Sequence, residues 1–174
     1  MPNILIINKR LQRLSSNLKS IYSEKKTNRF FFCRKCCEEL PPDDDEPFYI
    51  VNLSHYARQY MQWMHFLGRI RPFYAVKSNP NDFIIQVIAE LGGGFDCASA
   101  EELELVRKTC GKNFDCATRI IFAHPCKTIS HIRLFREAGV QMTVVDNEDE
   151  LKKLKQHWPE AKVSYAGKTY LFPN

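Results

Sequence analysis

Strand-like and helix-like segments alternate along most of this sequence at a nearly constant spacing. Apolar runs with strand character begin near residues 72, 95, 119, 141 and 162, and a helical pattern fills each interval. The intervals of 23, 24, 22 and 21 residues match consecutive βα units. Such units build a parallel sheet with right-handed crossovers. The sequence therefore predicts an α/β fold, either a doubly wound open sheet or part of an eight-stranded βα barrel.

The glycines favour the barrel over a dinucleotide-binding sheet. No GxGxxG motif follows the first strand, and Gly92–Gly94 precedes a strand instead of opening a helix. In a βα barrel, functional side chains lie at the carboxyl ends of the strands. The predicted strand ends carry Lys77, Asp96, His124 and Asp146. This concentration of polar groups predicts a functional site at that end of the sheet.

Composition separates an N-terminal extension from the βα region. Residues 1–37 hold nine Lys and Arg against one Glu, a net charge of +8, whereas the remainder carries −3. The basic balance of the chain therefore comes from the extension, which argues against a nucleic-acid-binding core. A proline- and acid-rich linker ends at Pro47. We predict an extension with its linker over 1–47, a barrel portion over 48–163 and a divergent end over 164–174.

Residues 3–25 have apolar residues at helical spacing with basic residues between them. This pattern is open to four interpretations: an amphipathic surface helix, a docking helix, a targeting segment or a poorly ordered tail. After the linker, Phe48–Leu53 reads as a strand, and a helix capped by Ser54 follows to about Leu67.

Seven cysteines, an odd number without a secretory signal, predict a reduced and cytoplasmic protein. No apolar stretch approaches the length of a membrane span, so we expect neither membrane insertion nor nucleic-acid binding. Cys33 and Cys36 form half of a zinc motif whose second half is missing, so no metal site is predicted.

The segment PFYAVKSNP, Pro72–Pro80, contains a short predicted strand that ends in a lysine, Lys77. Strand alternation places Phe73, Ala75 and Lys77 on one side. A desolvated lysine has a lowered pKa, and its neutral amine attacks aldehydes and ketones to form imines. The alternative is a lysine that extends from a strand end into solvent.

Four blocks carry a family resemblance: Pro72–Pro80, Gly93–Val106, Ile120–Leu151 and His157–Val163. In this order and spacing, from about Phe48 to Val163, the sequence resembles the ornithine decarboxylase family. These are eukaryotic-type pyridoxal-phosphate decarboxylases with an alanine-racemase-like barrel. The resemblance implies a partial (β/α)8 TIM barrel of that type, truncated before closure.

The resemblance also implies residue roles. Lys77 would bind pyridoxal phosphate covalently and take part in catalysis together with Asp96. Asp96 and Glu102 would be the acidic residues beside the cofactor and its lysine, and Ala75 a small residue lining the cofactor. Glu102 has an alternative role, because Ser99 and Glu102 form a capping box.

Departures from the family limit what we expect of this chain alone. His124 replaces the usual asparagine, and Asp146-Asn147 is expected to cap the next helix. After Val163 the sequence diverges, and the family's later cofactor-binding strands and its second domain, which completes a homodimeric site, are missing. We therefore expect a fragment that is inactive alone.

The principal functional hypothesis is an ornithine decarboxylase that forms putrescine for polyamine biosynthesis. An antizyme-inhibitor-like binding protein is the alternative, because residues 129–157 resemble the antizyme-binding region. Another diamino-acid or diaminopimelate decarboxylase, or a single-domain cofactor carrier, also stays open. A cofactor-free Schiff-base aldolase shares none of the four blocks.

Overall fold

The structure is a computed structural model that describes residues 51–166, the backbone of residues 4–7 and 49–50, and Arg34, Cys37 and Glu38. The chain divides into two compact units, Met1–Gln59 and Tyr60–Asn174. None of the helices in this described part has the length and apolar character needed to cross a membrane. The proposed domain boundary after residue 47 stays a prediction.

Two short antiparallel strands belong to the first unit. Strand β1 (Ile4–Ile7) pairs with β2 (Tyr49–Asn52). The predicted strand over 48–53 is thus present. The helical interpretation of residues 3–25 is wrong at its start, because Ile4–Ile7, an apolar segment in which three of four residues are β-branched, forms a strand. The rest of that segment lies outside the described residues. Helix α1 (Leu53–Leu67) follows β2 directly, so Ser54 lies inside the helix and is not its N-cap.

The second unit contains a five-stranded parallel sheet. Its strands are joined in sequence order, so each neighbours the next. The strands are β3 (Phe73–Ala75), β4 (Gly94–Cys97), β5 (Ile120–Phe122), β6 (Met142–Val145) and β7 (Lys162–Tyr165). The connecting helices are α2 (Asp82–Glu90), α3 (Ala100–Cys110), the short α4 (Cys116–Arg119), α5 (Ile129–Glu137) and α6 (Glu148–His157). The predicted parallel α/β architecture is confirmed, and the sheet is not closed.

The helices begin where capping chemistry predicts. The side chains of Asn81, Ser99, Thr128 and Asn147 each accept a hydrogen bond from a backbone N–H in the first turn of the helix that follows. Asn147 therefore caps α6 as expected. Short α4 was not predicted from the sequence. Its cap is Asp115, whose carboxylate accepts hydrogen bonds from the N–H and hydroxyl of Thr118.

Helices cover one face of the sheet. Contacts join α2 with α3, α3 with α5 and α5 with α6, so these helices lie side by side. In the three central strands, β4, β5 and β6, the residues that face the helices are buried, namely Phe95, Cys97, Ile120, Phe122, Thr143 and Val145. The rings of Phe122 and Phe135 stack at 3.7 Å between β5 and α5. The hydrophobic core therefore lies between the sheet and its helices.

The other face, here called the open face, carries the alternate residues. Ala75, Asp96, Ile121, Met142 and Lys162 follow one another across the five strands in the ladder register. Four of these are half-buried, and Lys162 is exposed. This is the face that would line the inside of a closed barrel.

The side chain of Arg119 binds the segment between α2 and β4, although it lies more than 25 residues later in the sequence. Its Nε and Nη2 donate to the carbonyl of Gly93 at 3.0 and 2.7 Å, and Nη2 also donates to Ala89 at 2.6 Å. The guanidinium lies 4.5 Å from the ring centre of Phe114. Because Ala89 and Gly93 flank the turn before β4, this arginine fixes how β4 enters the sheet.

Candidate functional site

Lys77 does not lie on a strand, in contrast to the prediction. Strand β3 ends at Ala75, and Val76–Ser78 form one 3-10 turn. The hydroxyl of Ser78 donates to the carbonyl of Ala75 at 2.7 Å and closes this turn. Side chains alternate between the two faces only within a strand, and this turn ends the alternation. The direction of the Lys77 side chain therefore does not follow from that of Ala75. Lys77 is exposed, and within the described residues its ammonium forms neither a hydrogen bond nor an ion pair.

Asp96 lies on the strand next to β3. It pairs with Ala75 in the parallel ladder, so the two side chains share the open face. Its Oδ1 is buried and has no hydrogen-bond partner among the described residues. Burial raises the pKa of Asp96, the positive charge of Lys77 opposes that rise, and the carboxylate of Glu102 adds to it. Lys77 and Asp96 therefore interact electrostatically without forming a direct ion pair.

Glu102 performs the capping role that the sequence indicated. Its main-chain N–H donates to the Ser99 hydroxyl at 3.3 Å, as in a capping box. Its Oε2 accepts from the N–H of Ala98 at 2.6 Å, one residue before the expected partner. The carboxylate is therefore held beside the end of β4, where its charge reaches Asp96. The structure brings Lys77, Ala75, Asp96 and Glu102 to the carboxyl ends of β3 and β4.

This arrangement fits the cofactor that the resemblance implies. A buried carboxylate oxygen without a partner is costly, so the site has an acceptor available for a cationic or donor group. The nearby lysine supplies an amine able to bind an aldehyde. Ala75, with only a methyl group, leaves space beside Asp96. The residues present are therefore compatible with pyridoxal phosphate held at Lys77.

The two further strand-end residues have local partners. His124 is exposed, and its Nδ1 accepts a hydrogen bond from the main-chain N–H of Cys126 at 3.1 Å. Asp146 is also exposed, and its Oδ1 accepts from the Asn147 side chain at 2.7 Å. Neither contacts Asp96 through a hydrogen bond. His124 does reach the edge of the sheet where Lys77 and Asp96 lie, here called the strand-end face.

A buried ionic network next to His124 was not predicted. The side chains of Lys127 and Glu150 are almost fully buried and lie 3.4 Å apart, and Lys153 contacts the other oxygen of Glu150 at 2.7 Å. Burial lowers the pKa of Lys127. Burial alone would raise the pKa of Glu150, but hydrogen bonds from Lys153 and from the Lys127 N–H outweigh it, and the pKa is lowered. The sequence signal was faint: Glu150 stands four residues before the buried Leu154, on the same side of α6.

A cavity of about 680 Å³ lies at the opposite end of the sheet. It is lined by the end of α3, the loop into α4 and the turn after α5, including Arg107, Phe114 and Gly139. Those segments precede β5 and β6, so the cavity is at the amino ends of the strands. It contains none of the four predicted site residues. Among the described residues, no cluster of metal-binding side chains is present; Cys33 and Cys36 lie outside them.

Comparison with known proteins identifies the family. Residues 53–168 match the profile of the family described as pyridoxal-dependent decarboxylase, pyridoxal binding domain. Ornithine decarboxylase of Neurospora crassa is 41% identical over 126 residues, which are 72% of this chain and 25% of that protein. Antizyme inhibitor 2 of Xenopus laevis is 38% identical over 138 residues, 76% of this chain and 29% of that protein.

Solved structures support the same fold. The structure of SrLDC in complex with PLP and cadaverine matches with a TM-score of 0.67 and 25% identity, covering 81% of this chain and 35% of that one. The chain spans between a quarter and a third of the length of the curated relatives it matches. The similarity thus concerns one part of those proteins and confirms the predicted partial barrel.

Proposed function

Since this chain belongs to the pyridoxal-dependent decarboxylases, we propose that it supplies the lysine-bearing part of an ornithine decarboxylase, which converts ornithine to putrescine in polyamine biosynthesis. The observation that carries the proposal is the position of Lys77 beside Asp96, whose buried Oδ1 lacks a partner among the described residues. The similarity to ornithine decarboxylases supports this choice of substrate. Whole members of the family would act as homodimers.

Each site residue has a defined task in this proposal. Lys77 would hold pyridoxal phosphate through its amine. Asp96 would orient that amine whenever it is free, because the carboxylate attracts its positive charge. Glu102 would hold the end of β4 through its bond to Ala98 and add negative charge. When bound, pyridoxal phosphate supplies the electron sink that accepts the pair left by departing CO2.

Covalent trapping tests whether Lys77 holds the cofactor. The chain is incubated with pyridoxal phosphate and reduced with borohydride, and the modified lysines are identified by peptide mass spectrometry. We expect preferential labelling of Lys77 over the exposed lysines Lys112 and Lys155. The reason is that Asp96 adjoins only Lys77, where its carboxylate would stabilise the positively charged product of amine and aldehyde. Lys77→Arg is the control for background labelling. Equal labelling of all three lysines would contradict the proposal.

Activity is a separate question from cofactor binding. We propose that the 174 residues alone decarboxylate ornithine poorly, because the whole relatives are between three and four times as long as the segment that matches this chain. Release of labelled CO2 from ornithine, lysine and arginine, compared between this chain and the whole ornithine decarboxylase of Neurospora crassa, tests both points. Preference for lysine or arginine would assign another diamino acid as substrate.

A second candidate function is sequestration of antizyme without catalysis. The similarity to antizyme inhibitor 2 favours it. Lys152 and Lys155 are exposed on α6, whereas Lys153 binds Glu150 and the carbonyl of Lys127. Charge reversal at Lys153 would therefore disturb the fold. The test is a pull-down with antizyme in which Lys152→Glu and Lys155→Glu remove binding; retention of antizyme by both variants would exclude this use of α6.

The proposal places the protein in the cytoplasm. Seven cysteines, an odd number, fit a reducing compartment. Cell fractionation with an antibody to the chain checks this; recovery in a secretory fraction would contradict it.

A further inference from the structure

The main chain and side chain of Lys127 are all bound to the next βα unit. Its N–H donates to Glu150 Oε1 at 3.0 Å, and its carbonyl accepts from Lys153 Nζ at 2.8 Å. Its own Nζ donates to the carbonyl of Val144 at 2.6 Å and to Glu150 Oε1 at 3.4 Å. Nζ also donates to the carbonyl of Pro125, in its own loop, at 3.5 Å. A residue in a loop thus has its donor, its acceptor and its charge all used, mainly by β6 and α6.

These contacts fix the loop that joins β5 to α5. The loop starts at Ala123, whose N–H donates to the carbonyl of Cys97 at 2.9 Å. It ends at Thr128, whose hydroxyl accepts from the N–H of His131 at 3.2 Å. Lys127, the residue before Thr128, attaches the loop to β6 and α6. The loop therefore has little freedom to move at the strand-end face.

The same loop determines the tautomer of the neutral His124 ring. The N–H of Cys126, the residue before Lys127, donates to His124 Nδ1. A ring nitrogen that accepts a hydrogen bond carries no proton, so the neutral imidazole has its proton on Nε2. Within the described residues no group accepts a hydrogen bond from Nε2. The exposed imidazole therefore has a free N–H donor.

Stability alone does not account for a buried ion network. Removing two charges from water is expensive, and well-packed apolar residues of similar volume are often as stabilising. What three charged groups add is direction, since each hydrogen bond fixes an angle as well as a distance. The network of Lys127, Glu150 and Lys153 therefore fits a requirement for loop geometry better than a requirement for folding energy.

We propose that Lys127 is a positioning residue: the buried network that it forms with Glu150 and Lys153 fixes the loop after β5 and so holds His124 at the strand-end face as the tautomer protonated on Nε2. The inference rests on the proposed function only in taking the strand-end face as the face that meets a ligand. There, the fixed imidazole offers its N–H to an anionic group.

The tautomer is measured by long-range ¹H–¹⁵N correlation spectra of the chain labelled with ¹⁵N-histidine. The chain has five histidines, and His124→Gln identifies the signal of His124 by its loss. In the unaltered chain we expect an unprotonated Nδ1 and a protonated Nε2. In Lys127→Met we expect this pattern to be lost and replaced by the average of both tautomers. Lys155→Met, on the exposed side of α6, is the matched control and should keep it.

Two further variants make the result decisive. Cys126→Pro lacks the N–H that donates to His124 Nδ1, so its spectrum gives the reference pattern for His124 without this hydrogen bond. The triple variant Lys127→Met, Glu150→Leu, Lys153→Met replaces all three charges by apolar groups, and we expect it to fold with the His124 pattern lost. Thermal unfolding is recorded for every variant.

Three results would overturn the inference. The first is a protonated Nδ1 in the unaltered chain. The second is an unchanged His124 pattern in the folded Lys127→Met or triple variant, which would make the network structural only. The third is failure of both to fold, since folding energy would then be its role. No cofactor is present in these spectra, so an unreactive Lys77 would refute the proposed function and leave this test unaffected.

Discussion

Replacing Asp96 by asparagine should stabilise the chain and weaken its hold on the cofactor. The carboxylate is desolvated, and its buried Oδ1 has no hydrogen-bond partner in the described part of the chain. Leaving a polar group in this state costs about 1–3 kcal/mol, and more when it is charged. Asparagine has nearly the same shape without the charge. Because its amide is also partly buried and the attraction of Lys77 is lost, we expect a net gain of about 1 kcal/mol in the free energy of unfolding at neutral pH.

The pH dependence gives this prediction a distinctive signature. Burial raises the pKa of Asp96 in the folded state, so over the pH range between its unfolded and folded values the native chain binds more protons. Stability then falls as pH rises through that range. Below the range both states are protonated, and aspartic acid and asparagine should be nearly equivalent. The advantage of Asp96→Asn should therefore appear as pH rises and be constant above the raised pKa.

Urea unfolding at a series of pH values measures both quantities, with the change in m-value checking that the transition stays comparable. Borohydride trapping on the same samples measures the hold on pyridoxal phosphate, and labelling of Lys77 should decrease. Asp149→Asn, at an exposed position on α6, is the control for a lost surface charge. An asparagine variant that is less stable than the original at neutral pH, or whose advantage does not grow with pH, would refute the reasoning about burial.

Three further substitutions test the scaffold of the site, each by chemical denaturation. Arg119→Met removes the hydrogen bonds to two backbone carbonyls and should cost about 2–4 kcal/mol, whereas Arg133→Met on the exposed side of α5 should change stability by less than about 0.5 kcal/mol; equal effects would disprove the anchoring role. Gly94→Ala places a methyl group 2.6 Å from ring atoms of Phe73 and should cost about 1–3 kcal/mol; a neutral result would mean that the ring moves freely. Glu102→Ala should cost about 1 kcal/mol through the lost cap, while Glu102→Gln should recover most of it; equal losses would mean that the charge, and not the hydrogen bond, stabilises α3.

Features that depend on a few neighbouring residues could be predicted from the sequence. The capping box of Ser99 and Glu102 spans four positions, and the structure contains it. The five strands were predicted because apolar runs and breaks recur at a regular interval. The exception at this scale is Lys77: Phe73–Ala75 is a very short strand, and the alternation was extended two residues too far. No apolar pattern distinguishes a strand end from a 3-10 turn of the same composition.

Features that depend on distant residues were not predicted. Arg119 binds carbonyls 26 and 30 positions earlier, and Lys127 binds a carboxylate 23 positions later. Each of these residues, taken alone, reads as an ordinary surface charge. Their burial follows from packing α2 and α6 against the sheet, which no local pattern contains. The strand β1 was missed for the same reason, because its partner residues in β2 are 42 to 48 positions away.

The sheet has a helix-covered face, whose residues stabilise the fold, and an open face, whose residues form the candidate site. Nearly all the large side chains that exclude water lie under the helices, while Ala75 and Asp96 lie on the opposite side. A lineage can therefore exchange the reactive groups one by one while the scaffold keeps its shape. Catalysts and proteins that only bind a partner can descend from one such framework, each retaining the same outer layer.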